Sequence, residues 1–239
     1  MSERTAIATS VVRNLCDRLE VIRAELPFEV ATASDLATRL ARVRASMVGA
    51  VGIADLAEAT GALCDVVRDM GREADPAQAE SGFAAALAGL ADTVPATSSP
   101  AVILASDLGF TITACLEAAV LAEIAVAVAS RSYADRREAS AAASRLRSLA
   151  AVALEDIALR GGEGLWRAAS EAVHHALDHL NKTALDLKPV VLVESLRSLP
   201  STVLAWRLYG DPARAEELVE RNGVSTALFM PTTLEAIAS

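Results

Sequence analysis

Residues 205–222 read AWRLYGDPARAEELVERN, and the break at Tyr209-Gly210-Asp211-Pro212 decides how the end of the chain is built. Apolar and aromatic residues precede the break and an amphipathic run follows it. A glycine closes a helix where the reversal needs a positive φ. Aspartate then caps the next helix, with proline in the first turn, where a missing N–H forfeits no hydrogen bond. The spacing predicts two short helices, from Pro200 to about Tyr209 and from Asp211 to Asn222-Gly223.

Outward from this stretch, PVVLVES (189–195) is the β-branched run that reads as a short strand, and FMPTTLEAIA (229–238) has room for another. The expected order from residue 188 is strand, helix, helix, strand. Upstream the pattern is helical. Leu15, Leu19, Ile22 and Leu26 mark a first helix from about Arg4 to Glu25, which Pro27 ends. Ser34 reads as the N-cap of a second, carrying Leu36, Leu40, Val43, Met47 and Val51 at three- and four-residue steps. A third spans Ile53 to Glu73, and Asp75-Pro76 opens a fourth. DTVPATSSP (92–100) reads as a linker. Ser99-Pro100 then begins a long helix to about Ser130, a further helix covers Tyr133 to Arg160, RGGEG (160–164) breaks the pattern, and Leu165 to Leu187 is the last long helix. Three regions result: 1–95, helical; 96–187, a long-helix bundle; and 188–239, a small module.

Composition supports a mainly α chain. Alanine fills about a fifth of the 239 residues and aromatics only 3%, so long helices packed through small side chains are favoured. The net charge of −9 argues against nucleic acid, which asks for a clustered basic face. Arg131, Arg136, Arg137, Arg145 and Arg147 are the one basic concentration, read as a solvated helix face. Residues 101–129 are apolar enough to raise the question of a membrane span. Asp107, Glu117 and Glu123 interrupt them, so a buried helix is expected instead. Cys16, Cys64 and Cys115 are far apart with no CxxC pair, which fits reduced, buried thiols in a protein made in the cytosol. MSERTAIATS, at the start, lacks the charged-then-apolar order of a signal peptide.

Candidate chemistry is sparse. Glu171, His175 and His179 share one helical face, but HExxH is not matched and no fourth ligand is evident, so no metal site is assigned. GGEG (161–164) lacks the Lys-Ser/Thr of a phosphate loop. No nucleophile–base arrangement stands out. The expectation is a protein without enzymatic activity, metal or cofactor. Trp206 and Tyr209, among so few aromatics, are expected to anchor the module's small core, with a groove or interface role as the alternative.

LPSTVLAWRLYGDPARAEELVERNGVSTALFMP (199–231) resembles the C-terminal end of the Mu-like phage DNA circularisation (DNA circulation) proteins, which are tail proteins of the baseplate hub. The family pattern falls on Leu199, Pro200, Ala205, Trp206, Arg207, Tyr209, Gly210, Asp211, Glu217, Leu218, Val219, Arg221, Asn222, Val224, Phe229 and Pro231. A looser likeness extends through RSYADRREASAAASRLRSL (131–149). Family members carry His-Pro where this chain has Thr226 and Ala227, and no stretch corresponds to the β-rich N-terminal domain of full-length members. The same ending resembles a degenerate LysM fold, a βααβ unit. What the resemblance implies is a structural component of a tail baseplate or hub, assembled as a ring or adaptor around the tail tube. It would contact other tail proteins, reside in the virion and be made in the bacterial host cytoplasm. Trp206, Arg207, Tyr209, Gly210, Asp211, Asn222, Phe229 and Pro231 define the module. The alternatives are a peptidoglycan-binding LysM-type module and a factor that circularises or protects DNA ends after injection.

Overall fold

The computed structural model describes residues 2–49, 51–94 and 99–238. It is mainly helical, with 77% helix and, among the described residues, nine α-helices and one two-stranded sheet. The helices are α1 (Glu3–Glu25), α2 (Val30–Ser46), α3 (Ile53–Glu73), α4 (Pro76–Leu90), α5 (Pro100–Ala105), α6 (Asp107–Ser130), α7 (Arg136–Asp186), α8 (Ser201–Tyr209) and α9 (Ala215–Arg221). The strands are β1 (Val190–Glu194) and β2 (Thr233–Ile237). Two compact units emerge: residues 1–131 with 143–179, and residues 132–142 with 180–239. The ends of α7 thus belong to the second unit and its middle to the first.

In the first unit α6 is the centre, packed against α1, α3 and α4. It is apolar on every side, so no orientation would leave a polar face to water, and neighbours must cover it all round. By length and composition α6 could cross a membrane, yet 67% of its apolar window is buried inside the fold. Leu116, Leu121 and Ile124 from α6 share the core with Leu15 and Leu19 of α1, Leu63 and Met70 of α3, and Phe83 of α4. Each such side chain, fully buried, contributes about 1.5–3 kcal/mol. Small residues let the axes approach. A Cβ on Gly109 of α6 would stand 3.0 Å from Val11 Cγ2 of α1.

Several local expectations are corrected. Helix α2 starts at Val30, and Ser34 lies inside it, not at its cap. Ala31 and Ala33 are strong helix formers, so the helix extends upstream with only Glu29 C=O accepting from Ala33 N–H, 2.9 Å, to start it. The helix expected from Ser99 to Ser130 is two. Ser106 interrupts it, its hydroxyl donating back to Val102 O at 2.8 Å and its N–H to Ile103 O at 3.1 Å. Such local bonds offer the backbone an alternative to the regular ladder. Of the expected linker, residues 95–98 lie outside the described residues. Its start is built into the core: Thr93 is buried, its carbonyl accepts from Asn14 Nδ2 at 3.2 Å and its hydroxyl meets that of Thr113 at 3.3 Å.

The RGGEG break falls at Gly162, whose φ of 78° and ψ of 176° divide α7 into arms 136–161 and 163–186. That backbone region is essentially restricted to glycine. The arms fold back, because Arg136 Nε donates to Ala184 O at 2.8 Å and Arg136 N–H to Lys188 O at 3.2 Å. Gly162→Ala is expected to destabilise the protein by about 1–3 kcal/mol. Gly164→Ala, in regular helix with open space around the new methyl, should stabilise it by about 0.5–1 kcal/mol. Urea denaturation of the two variants checks the pair of signs.

Candidate functional site

In the second unit, β1 and β2 pair antiparallel from Val190↔Ile237 to Glu194↔Thr233, with α8 and α9 between them in the chain. Leu204, Ala205, Leu218, Met230, Leu234 and Ala236 form its core, with Leu199, Leu208, Tyr209 and Val224 packed around it. The inward positions of α8 are Ser201, Leu204 and Ala205, then the half-buried Leu208, at three- and four-residue steps. Trp206 is off this stripe and 63% exposed, so it does not anchor the core as expected. Tyr209 does pack there.

A strand paired on one side must satisfy the backbone groups on its other side. In β2 the side chains of Asn222 and Tyr209 do this. Asn222 Oδ1 accepts from Glu235 N–H at 2.8 Å, and Asn222 Nδ2 donates to Glu235 O at 3.0 Å. The same Nδ2 donates to Leu218 O at 2.9 Å, closing α9. Tyr209 Oη accepts from Ile237 N–H at 3.0 Å. Arg214 lies over the Tyr209 ring, 3.7 Å from its centroid, and is held by a fork of bonds to Glu217 at 2.9 and 3.0 Å. Gly210 ends α8 with φ of 71°, its N–H donating to Trp206 O at 2.9 Å. Asp211 accepts from Ala213 N–H at 2.9 Å.

One constellation was not anticipated. Arg221 Nη1 donates to Asp135 Oδ2 at 2.6 Å, both side chains nearly buried, while Asp135 Oδ1 accepts from Glu138 N–H at 2.9 Å and caps α7. The Asp-x-x-Glu spacing of 135–138 is a capping-box signal that could have revealed the cap, while the pairing with Arg221, 86 residues away in the chain, has no local signal. Burial alone would raise the Asp135 carboxyl. The bonds from Arg221 and Glu138 outweigh it and hold the group below the usual carboxylate range. Most of the basic concentration is paired as well, while Arg137, Arg145 and Arg147 remain exposed, in keeping with the reading of a solvated face. Arg131 and Arg145 pair with Glu80, Arg137 pairs with Glu235, and Arg136 closes the end of α7.

The outward surface of this unit is the candidate site. Ser201 N–H donates to Ala227 O at 2.7 Å and Met230 N–H to Leu199 O at 3.1 Å, so segments 195–201 and 227–230 run side by side. They present Leu196, Leu228 and Phe229 to solvent, the last 69% exposed. A groove of about 580 Å³ between the end of β1 and α8 is flanked by the exposed Arg197 and Arg207. Phe229 and Pro231 are thus surface residues, and Met230 between them is the buried one. Exposed apolar groups held on a rigid backbone, with arginines beside them, have the composition of an interaction surface.

No family model matches the chain, and no curated protein matches it.

Elsewhere the sequence candidates stay apart from chemistry. Glu171, His174, His175 and His179 are exposed on α7, and among the described residues no three His, Cys, Asp or Glu side chains are grouped to hold a metal ion. Cys16 is buried, and Cys64 and Cys115 are half-buried free thiols. Burial pushes Cys16 and Cys64 up to about 11, which leaves them protonated and unreactive at neutral pH.

Asn222→Ala is expected to cost about 1–3 kcal/mol by stranding the Glu235 backbone groups. Urea denaturation measures it, and hydrogen exchange should show Glu235 N–H losing protection first. The Asp135–Arg221 pair sets a second expectation. A depressed carboxylate contributes stability that is present above its unfolded pKa, about 3.9, and lost as pH falls through its lower folded value. Exchange protection of residues 215–222 should therefore fall steeply in that acid window, and Asp135→Asn should remove this part of the pH dependence.

Proposed function

We propose that the protein is a non-enzymatic structural component of a phage or phage-derived tail baseplate or hub. In this reading it assembles as a ring or adaptor, with the β1–α8–α9–β2 unit as a LysM-like docking module. The observation that carries the reading is the resemblance over 199–231, joined to what its residues do. Tyr209, Gly210, Asp211 and Asn222 close the turn and the strand edge, while Trp206, Arg207, Phe229 and Pro231 face outward. The first group is what keeps such a module rigid; the second is free for a neighbour. The looser likeness at 131–149 adds support, since Asp135 within it bonds Arg221 of the C-terminal stretch. Rings form from heterologous contacts that repeat around an axis, and exposed aromatics with arginine are the side chains that carry such contacts.

The test is native mass spectrometry of the purified chain, alongside quantitative mass spectrometry of particles from the source. A closed oligomer, and a fixed low copy number per tail, are expected. Trp206→Ala combined with Phe229→Ala should weaken association at least tenfold without lowering the urea midpoint. A monomer absent from particles overturns the reading.

A second reading, peptidoglycan binding, draws on one observation: Trp206 is exposed on α8, the helix that walls the 580 Å³ groove. Retention on purified cell wall that Trp206→Ala abolishes would favour it. Direct DNA binding is weakened by the pairing of four arginines of the basic run and by the net charge of −9.

A further inference from the structure

In the first unit, α4, α6 and the first arm of α7 line a half-open cavity of about 310 Å³. Its walls are Ala84 and Leu87 from α4 and Leu149, Val152 and Ala153 from α7, while α6 contributes Glu117. That volume is at the lower end for small-molecule sites, and an apolar wall with few polar groups is their usual composition. Glu117 is 3% exposed. Its Oε1 accepts a long bond of 3.4 Å from Arg160 Nη1, and its Oε2 has no hydrogen-bond partner. A buried carboxylate oxygen left so is costly, which makes it a place where a donor gains more than elsewhere.

The charges choose the donor. Arg160 is shared, since its Nη2 lies 3.5 Å from Asp156 Oδ1, and Asp156 also lines the cavity. One guanidinium faces two carboxylates, leaving the cluster one positive charge short when both are ionised. The α4 wall adds no charge, and Arg160 and Asp156, both on α7, are the charges that act on Glu117. An anionic ligand would meet two carboxylates. A neutral donor would bond to a carboxylate but not offset the charge. An ammonium group does both.

We propose that this cavity binds a small organic ammonium ion, its apolar body against Leu87, Leu149 and Val152 and its charged head paired with the carboxylates of Glu117 and Asp156. Burial, with Asp156 adding to it and Arg160 opposing, pushes the Glu117 carboxyl up to about 7. Below that pH the acid holds a proton, which must leave for the ammonium to pair with the carboxylate. Affinity therefore rises as pH rises through about 7 and levels off above it, with proton release on binding at the lower pH.

Isothermal titration calorimetry with n-hexylammonium chloride, against 1-hexanol as the uncharged chain of the same length, tests the site at pH 6 and pH 8. At pH 8 hexylammonium should bind at least tenfold tighter than hexanol, with the advantage shrinking at pH 6. Glu117→Gln should abolish the advantage of hexylammonium over hexanol. Val152→Phe, at an exposed wall position, should weaken both ligands. Equal binding of the two ligands, binding of neither, or a preference that survives Glu117→Gln would each overturn the proposal. Should Glu117→Gln fail to fold, the pH 6 to pH 8 comparison on the native chain decides alone.

Discussion

Helix α6 has no side that water would accept, and the first unit is arranged around that fact. A helix apolar all round is stable only when other helices cover it, and α1, α3 and α4 do so. Alanine and glycine make the cover close. A carbon added at Gly109 would press on Val11 at 3.0 Å, so at this crossing the small residue serves packing as well as the helix. The cost of such a centre is that any polar group on it is forced into the interior. Glu117 is that group, and its half-satisfied carboxyl follows from its position on α6.

The second unit answers a different constraint. Two strands cannot cover both edges of a sheet, and a bare edge invites pairing with other chains. Here side-chain amide and phenol groups stand in for a third strand along part of β2, from Asn222 and Tyr209. Because those groups come from the ends of α9 and α8, the same bonds that close the edge fix where the helices sit against the sheet. Rigidity there frees the opposite requirement. The outward side chains Trp206, Leu196 and Phe229 stay exposed without serving the fold.

Charge follows the same division. Arginines that look in sequence like one basic stripe are distributed among tasks once the chain folds. Arg131 and Arg145 neutralise the nearly buried Glu80, Arg137 pairs with Glu235, and Arg136 satisfies carbonyls at the end of α7. A charge next in sequence to another need not share its partner, so clustering along the chain is weak evidence for a binding face.

What the sequence determined by itself was local. Proline and glycine set the helix boundaries at Pro27, Pro76, Gly162 and Gly210, because their backbone restrictions act whatever surrounds them. The β-branched run of β1 marked its strand, and β2 lies within the stretch 229–238 that had room for another. The turn residues Gly210 and Asp211 were legible for the same reason. Tertiary structure decided the rest, where the partner of a group is distant in the chain. Asn222 reads as a local helix end, yet two of its three bonds go to β2. Trp206 reads as core by its size, yet the stripe of α8 turns it outward, and only the placement of α8 against Leu218 and Leu234 sets that rotation. The cavity beside Glu117 has no sequence signal at all, since apolar alanines and leucines at helical spacing look the same whether they meet one another or leave a space between them.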